Sequence, residues 1–234
     1  MQSGVNLICS KKSEATLAAT TTKATLETVQ RGAMPLVEVA IAYAILECAL
    51  WSTKRDQLVW ILITLAWIGL CTWRSGRSPR EVGVSMQGIL ESLWTIPFVL
   101  AISGIAVALA WAAGSLHGLL GARQPLWHAL LYSIWALVQE FLSLSFIFVR
   151  LEDTFGTIAG IVATAALFSL AHIPNILLIA ATVPMSVAFC WLFSRYRNIY
   201  TLAVCHAILG LTLSITASPV LTHSMRVGSS YYFR

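Results

Sequence analysis

About seven apolar runs, set apart by short polar loops, constrain this chain more than any other feature. They fall near 34–52, 58–73, 94–113, 126–149, 155–172, 175–194 and 199–218. Crossing a hydrocarbon core of about 30 Å takes roughly 20 residues of helix, somewhat fewer at the short end. The second run is short. The fifth and sixth are separated only by the Pro174 break, so they form either a tight hairpin or one bent pair. The expected fold is all-α: a polytopic transmembrane helix bundle.

Charge supports the same conclusion. Charged residues make up only 11% of the 234 positions, against about 25% in soluble domains. One bundle accounts for the length, with no room for a second folded domain. Residues 1–33 are rich in Ser, Thr, Ala and Lys and lack the apolar core of a signal peptide. They read as a disordered polar leader; Glu14 and Glu27 count against a transit peptide, and Met34 stands as an alternative start. The bundle occupies 34–218 and a polar tail 219–234, with Tyr231-Tyr232-Phe233 expected at the interface. The loop Arg74–Glu91 reads as an amphipathic lead-in, with Arg80–Val84 on the cytoplasmic interface.

The net charge of +5 is topological, because the basic residues cluster in short loops; nucleic-acid binding is not expected. With the N-terminus cytoplasmic, the inner segments hold ten Lys and Arg and the outer ones five, and Arg74, Arg77 and Arg80 are the strongest vote. Five cysteines show neither CxxC nor Cys/His finger spacing, so neither a disulfide framework nor a zinc site is indicated.

Against this apolar background, three polar interruptions stand out. Ionisable groups at membrane depth cost roughly 2.5–3.5 kcal/mol on insertion scales and default to a functional site. Glu140 follows Gln139 inside an apolar run, with no Lys or Arg within a helical turn. Desolvation makes its ionised form costly, the setting of a general acid/base. A neutral Glu bonded to a neighbouring helix is the bland alternative. Gln139 and Ser143, four apart, share a face and extend the polar stripe.

His172 lies in Phe168-Ser169-Leu170-Ala171-His172-Ile173-Pro174-Asn175. Pro174 disfavours helical geometry at Ile173, so a helix should end at about His172. There the imidazole is placed to exchange a proton with water held by Glu140. Phe168, one turn back, packs behind the ring, and Asn175 adds amide donors. His206 interrupts a third run and must find its partner across the bundle, or donate from a neutral ring to a developing oxyanion. Gly210, one turn on, leaves space for an approaching backbone. Glu38 and Glu47 sit in the first run with no motif around them.

The pattern resembles the CAAX-protease and bacteriocin-processing (CPBP, or Abi) family of membrane proteases. Its motifs are Glu-Glu-x3-Arg, Phe-x3-His and His-x3-Asn/Asp, on successive membrane helices. Phe168-x3-His172 matches outright, Gln139-Glu140 takes the Glu-Glu position and His206-x3-Gly210 the last motif, over about residues 80–215. The departures are Gln139 for the first glutamate, Leu144 (or Ser145) for the arginine and Gly210 for the Asn/Asp. They are similar to a bacterial branch associated with protein sorting. The resemblance implies a glutamic-type intramembrane endopeptidase of a bacterial inner membrane, acting on a membrane-embedded protein or peptide. Glu140 would activate water, His172 would be its partner and His206 the oxyanion donor, with Gln139, Phe168 and Asn175 in support.

No cofactor is expected. A catalytic zinc takes three protein ligands and a water and His-Glu-x2-His is absent, although Glu140, His172 and His206 could make a His2Glu set. The competing expectation is a non-catalytic relative, a bacteriocin-immunity factor or an assembly scaffold. A proton-coupled transporter lacks paired broken helices in two matching halves, and a rhomboid-type protease lacks Gly-x-Ser-Gly.

Overall fold

The computed structural model describes residues 33–117 and 125–232; the leader expected over 1–33 therefore lies, but for Ala33, outside the described residues. Among the described residues, ten α-helices follow in order: α1 (Ala33–Trp51), α2 (Lys54–Arg74), α3 (Ile89–Ser92), α4 (Thr95–Ala112), α5 (Pro125–Glu140), α6 (Val149–Phe155), α7 (Thr157–Leu170), α8 (Ile176–Tyr196), α9 (Ile199–Thr216) and α10 (Pro219–Thr222). Among the described residues there is no strand. Between α5 and α6 the backbone of Phe141–Phe148 winds in the wider π form, and the Val149 amide reaches back five residues to the Leu144 carbonyl. From Leu126 to Phe155 this makes one 30-residue span.

Six helices among the described residues are long and apolar enough to cross a membrane. The fifth run falls short. The fourth runs on to Phe155, Gly156 breaks it, and α7 keeps only 14 residues, about 21 Å of helix. Large apolar side chains such as Leu58, Leu62, Phe98, Leu109 and Ile158 lie exposed on the outside, where lipid tails are as apolar as they are.

The π segment is the centre of the packing. Leu144, Phe148 and Val149 join Phe189, Phe193, Leu202 and Cys205 in one core cluster, uniting α4, α8 and α9. Phe146 and Ile147 face the other way, onto Val39 and Ala42 of α1 and Ile68 and Cys71 of α2. Leu144, at the arginine position of the resemblance, is thus a core residue.

Ion pairs gather at one end of the bundle. Arg150 is 1% exposed; its Nε donates to Glu38 Oε2 at 2.8 Å and its Nη1 to the Phe146 carbonyl at 3.3 Å. Glu38, without a motif in the sequence, is the counter-ion that ties α1 to α6. Arg77 pairs with Asp153 and Arg197 with Glu152. Within the Arg80–Val84 stretch, Arg80 and Glu81 are exposed while the residues that follow pack inward. Val82 and Gly83 are buried and the Gly83 carbonyl accepts from the Ile199 amide at 3.0 Å. Buried Asn198 caps α9 through Oδ1 and donates from Nδ2 to the Ser85 carbonyl at 3.1 Å. A buried amide needs its partners, and these backbone groups supply them.

At the other end, α7 stops at Leu170, two residues short of His172. The chain then turns through Pro174, and Asn175 Oδ1 caps α8 by accepting from the Leu178 amide at 3.2 Å. The stretch after α9 folds back here. Asn175 Nδ2 donates to the carbonyls of Thr222 and Arg226, the Gly228 amide to the Ile173 carbonyl, and Ser229 Oγ to the Ser52 carbonyl.

Candidate active site

On a helix, residues four apart share a face while neighbours point about 100° away from each other. Tyr132, Ala136 and Glu140 therefore line one face of α5, and His206 and Gly210 one face of α9. The two helices pack together, with Glu140 against His206 and Tyr132 against Gly210, so they run antiparallel. Gln139, one step round α5, turns elsewhere.

It turns into a cavity of about 360 Å³, walled by α1, α4, α5, α7, α8, α9 and the returning C-terminal stretch. Most of its surface is apolar, with Tyr43, Leu46, Trp135, Leu167 and Met185 among the lining residues. The polar groups that reach it include Gln139, Ser143, His172, His206, Tyr132 and Ser103. An apolar cavity with a few convergent polar groups is the ordinary form of a binding or active site.

Glu140 stands behind this wall. Its side chain is 2% exposed and its Oε1 lies 2.7 Å from His206 Nδ1. Around the carboxylate, Ser143, Phe168, Ser186 and Phe189 close a seam too narrow for water. The sequence pairs Glu140 with His172; the structure pairs it with His206 instead. His172 is held by another acceptor, its Nδ1 being 2.7 Å from the Phe168 carbonyl one turn back. That carbonyl belongs to the last turn of α7, where carbonyls lack intrahelical partners, and the histidine satisfies it.

The bond to the Phe168 carbonyl sets the tautomer of His172. A carbonyl only accepts, so His172 carries its proton on Nδ1 and, when neutral, keeps Nε2 as a base. An ionised Glu140 does the same for His206. The Phe168 ring serves both histidines, with centroids 5.0 Å from His172 and 6.0 Å from His206. Phe189 and Tyr132 present edges to His206 at 6.5 and 6.4 Å.

Asn175 is near His172 in sequence but turned away from the cavity; its amide is spent on the α8 cap and the C-terminal stretch. Its expected support of an oxyanion gives way to a structural role, because a buried Asn at a helix start is drawn to the orphan amides there. Tyr132 is the cavity residue that sequence reasoning missed. Its signal was the seven-residue interval to Gln139, two turns of helix, which puts both on the cavity side of α5. Among the described residues no group of three or more His, Cys, Asp and Glu side chains is placed to hold a metal ion.

Residues 121–212 match the family model described as type II CAAX prenyl endopeptidase, Rce1-like. No curated protein and no solved structure matches the chain. The matched stretch runs through α5 to most of α9 and contains Glu140, His172 and His206. At family level it supports a CAAX-type intramembrane protease, a hydrolase, in a multi-pass integral membrane protein.

Proposed function

Taking that family match as the premise, we propose that this chain is an intramembrane endopeptidase in which His206, held by Glu140, activates the attacking water. The observation that carries this reading is the 2.7 Å contact between Glu140 Oε1 and His206 Nδ1 at the wall of the cavity. A carboxylate on one imidazole nitrogen fixes the tautomer, orients the ring and stabilises the imidazolium that forms when the other nitrogen takes a proton. Glu140 acts through His206, because the carboxylate itself does not reach the cavity.

The steps follow from the two rings. A peptide segment enters between α4, α5 and α9, with its scissile carbonyl beside His206. Water loses a proton to His206 Nε2 as its oxygen adds to the carbonyl carbon. The tetrahedral species then collapses, and the proton passes to the departing amine. His172, its Nδ1 proton committed to Phe168, offers Nε2 as a second acceptor that orients the water. The apolar wall keeps bulk water away and strengthens each of these interactions.

The substrate is a membrane-embedded protein or peptide. We place the protein in a bacterial inner membrane with its N-terminus cytoplasmic, so that the end holding Arg74, Arg77, Arg80, Arg150 and Arg197 faces inward. The leader at 1–33 and the polar tail from 219 onward lie outside the protease-like core, taken as about 80–215.

One observation favours a second reading, a non-catalytic membrane protein serving immunity or assembly. Gln139, which cannot ionise, is the residue of the Gln139-Glu140 pair that faces the cavity. Proteolysis in native-host membranes separates the two. Membrane proteins are compared by mass between cells carrying wild type, His206→Ala and His172→Ala. Chain ends that arise only with wild type support the protease; identical ends in all three support the second reading.

A further inference from the structure

Gly210 faces Tyr132 at closer range than any side chain at 210 would allow. A Cβ built on Gly210 would lie 1.8 Å from the Tyr132 hydroxyl oxygen, 2.5 Å from Cζ and 2.7 Å from Cε1. The phenol thus occupies the volume that a side chain one turn beyond His206 would fill. Both Tyr132 and His206 line the cavity, and the phenol ring stands at 77° to the imidazole. The hydroxyl has no hydrogen-bond partner among the described residues. A second orphan points to the same place: Ser103 Oγ, buried on α4, also lines the cavity without a partner.

Unpaired hydroxyls are costly against an apolar wall, and a buried polar group left unmatched in a site calls for an explanation. A tyrosine hydroxyl donates one hydrogen bond. Beside the base that deprotonates water, such a donor suits the oxygen on which negative charge develops.

We propose that Tyr132 is a catalytic residue: its hydroxyl donates to the carbonyl oxygen of the scissile bond as that oxygen becomes an oxyanion, and Gly210 is the vacancy that admits it. This rests on the endopeptidase reading above. As water adds to the carbonyl carbon, the carbonyl π pair moves onto oxygen and is met by the Tyr132 O–H. On collapse the pair returns, the C–N bond breaks and the amine leaves with the proton from His206. Tyr132 keeps its own proton throughout.

The test follows processing of the host's own membrane proteins over time, in native membranes at matched expression. Removing one oxyanion donor costs on the order of 10²–10³ in rate, so Tyr132→Phe should slow the appearance of wild-type chain ends about 100-fold or more. Gly210→Ala, which pushes the phenol aside, should do likewise. The decisive variant is the pair Tyr132→Ala with Gly210→Asn, which empties the phenol's volume and offers an amide donor from the other helix. It should process at least ten times faster than Tyr132→Ala alone. Unfolding temperature in detergent is read for each variant.

Tyr132→Phe processing at the wild-type rate while His206→Ala is inactive would overturn the role of Tyr132 and leave the endopeptidase standing. Failure of the paired variant to exceed Tyr132→Ala, with both folded, would make Tyr132 a packing residue. Processing by neither wild type nor any variant would remove the endopeptidase reading and this proposal with it.

Discussion

Asn175 Nδ2 donates to the Thr222 carbonyl at 2.7 Å, and by that bond the stretch after α10 is held beside the α7–α8 turn at the cavity wall. A second bond goes to the Arg226 carbonyl at 3.1 Å, and Met225 and Val227 between them line the cavity. The same side chain starts α8. One residue therefore ties the α7–α8 turn to the segment packed against it.

Asn175→Ala should loosen that segment without unfolding the bundle. Two bonds at roughly 1 kcal/mol each correspond to about a 30-fold rise in local opening. Limited trypsin digestion at Arg226 in detergent reads it directly. Unchanged cleavage would mean that other contacts, among them those of Gly228 with Ile173 and Ser229 with Ser52, hold the segment.

Glu38→Gln should destabilise the bundle more than any surface change. It leaves Arg150, at 1% exposure, as an uncompensated buried cation, and breaking a buried pair from one side costs roughly 3–5 kcal/mol. The low end applies, because the Glu38 side chain keeps 23% exposure. Thermal unfolding in detergent should fall by several degrees, and Glu38→Leu combined with Arg150→Met should recover most of the loss. Equal unfolding temperatures for wild type and Glu38→Gln would show that the pair carries no net stability.

The turn before α3 supplies a pH-dependent contact. Glu81 Oε2 accepts from both the Ser78 hydroxyl and the Ser78 amide at 2.7 Å, and these bonds to Ser78 hold its carboxyl below the usual range. A depressed folded value means that the contact is complete above the unfolded value of about 4.3 and is lost as pH falls through the folded one. Hydrogen exchange at the Ser78 amide should therefore be protected at neutral pH and lose protection in acid. In Glu81→Gln the protection should be weaker and flat with pH; a pH dependence that survives this substitution would assign it to another group.

Much of the architecture was legible because apolar length is a local property. Each of the seven runs became a helix, and Pro174 and Gly156 explain where α7 is cut short. The site was legible only as an inventory. Glu140 and two histidines stood out because each is costly in hydrocarbon, but which histidine Glu140 would meet depends on helix rotation. That rotation is set by the α5–α9 packing and by the π winding after Glu140, which no three-residue spacing reports. The partnership of Glu38 with Arg150 spans 112 positions and leaves no local trace. Gly210 read as a gap for backbone; only the packed helices showed that the gap is filled by Tyr132.

The rate of membrane-protein processing by Glu140→Gln, set against wild type at matched expression in native-host membranes, tests the central claim most directly. Gln keeps an oxygen that accepts from His206 Nδ1 but removes the charge that stabilises the imidazolium. We expect new chain ends to appear about 10²–10⁴ times more slowly, the usual contribution of a positioned acid–base group, with unfolding temperature preserved. Processing at the wild-type rate by a folded Glu140→Gln protein would contradict the Glu140–His206 mechanism outright.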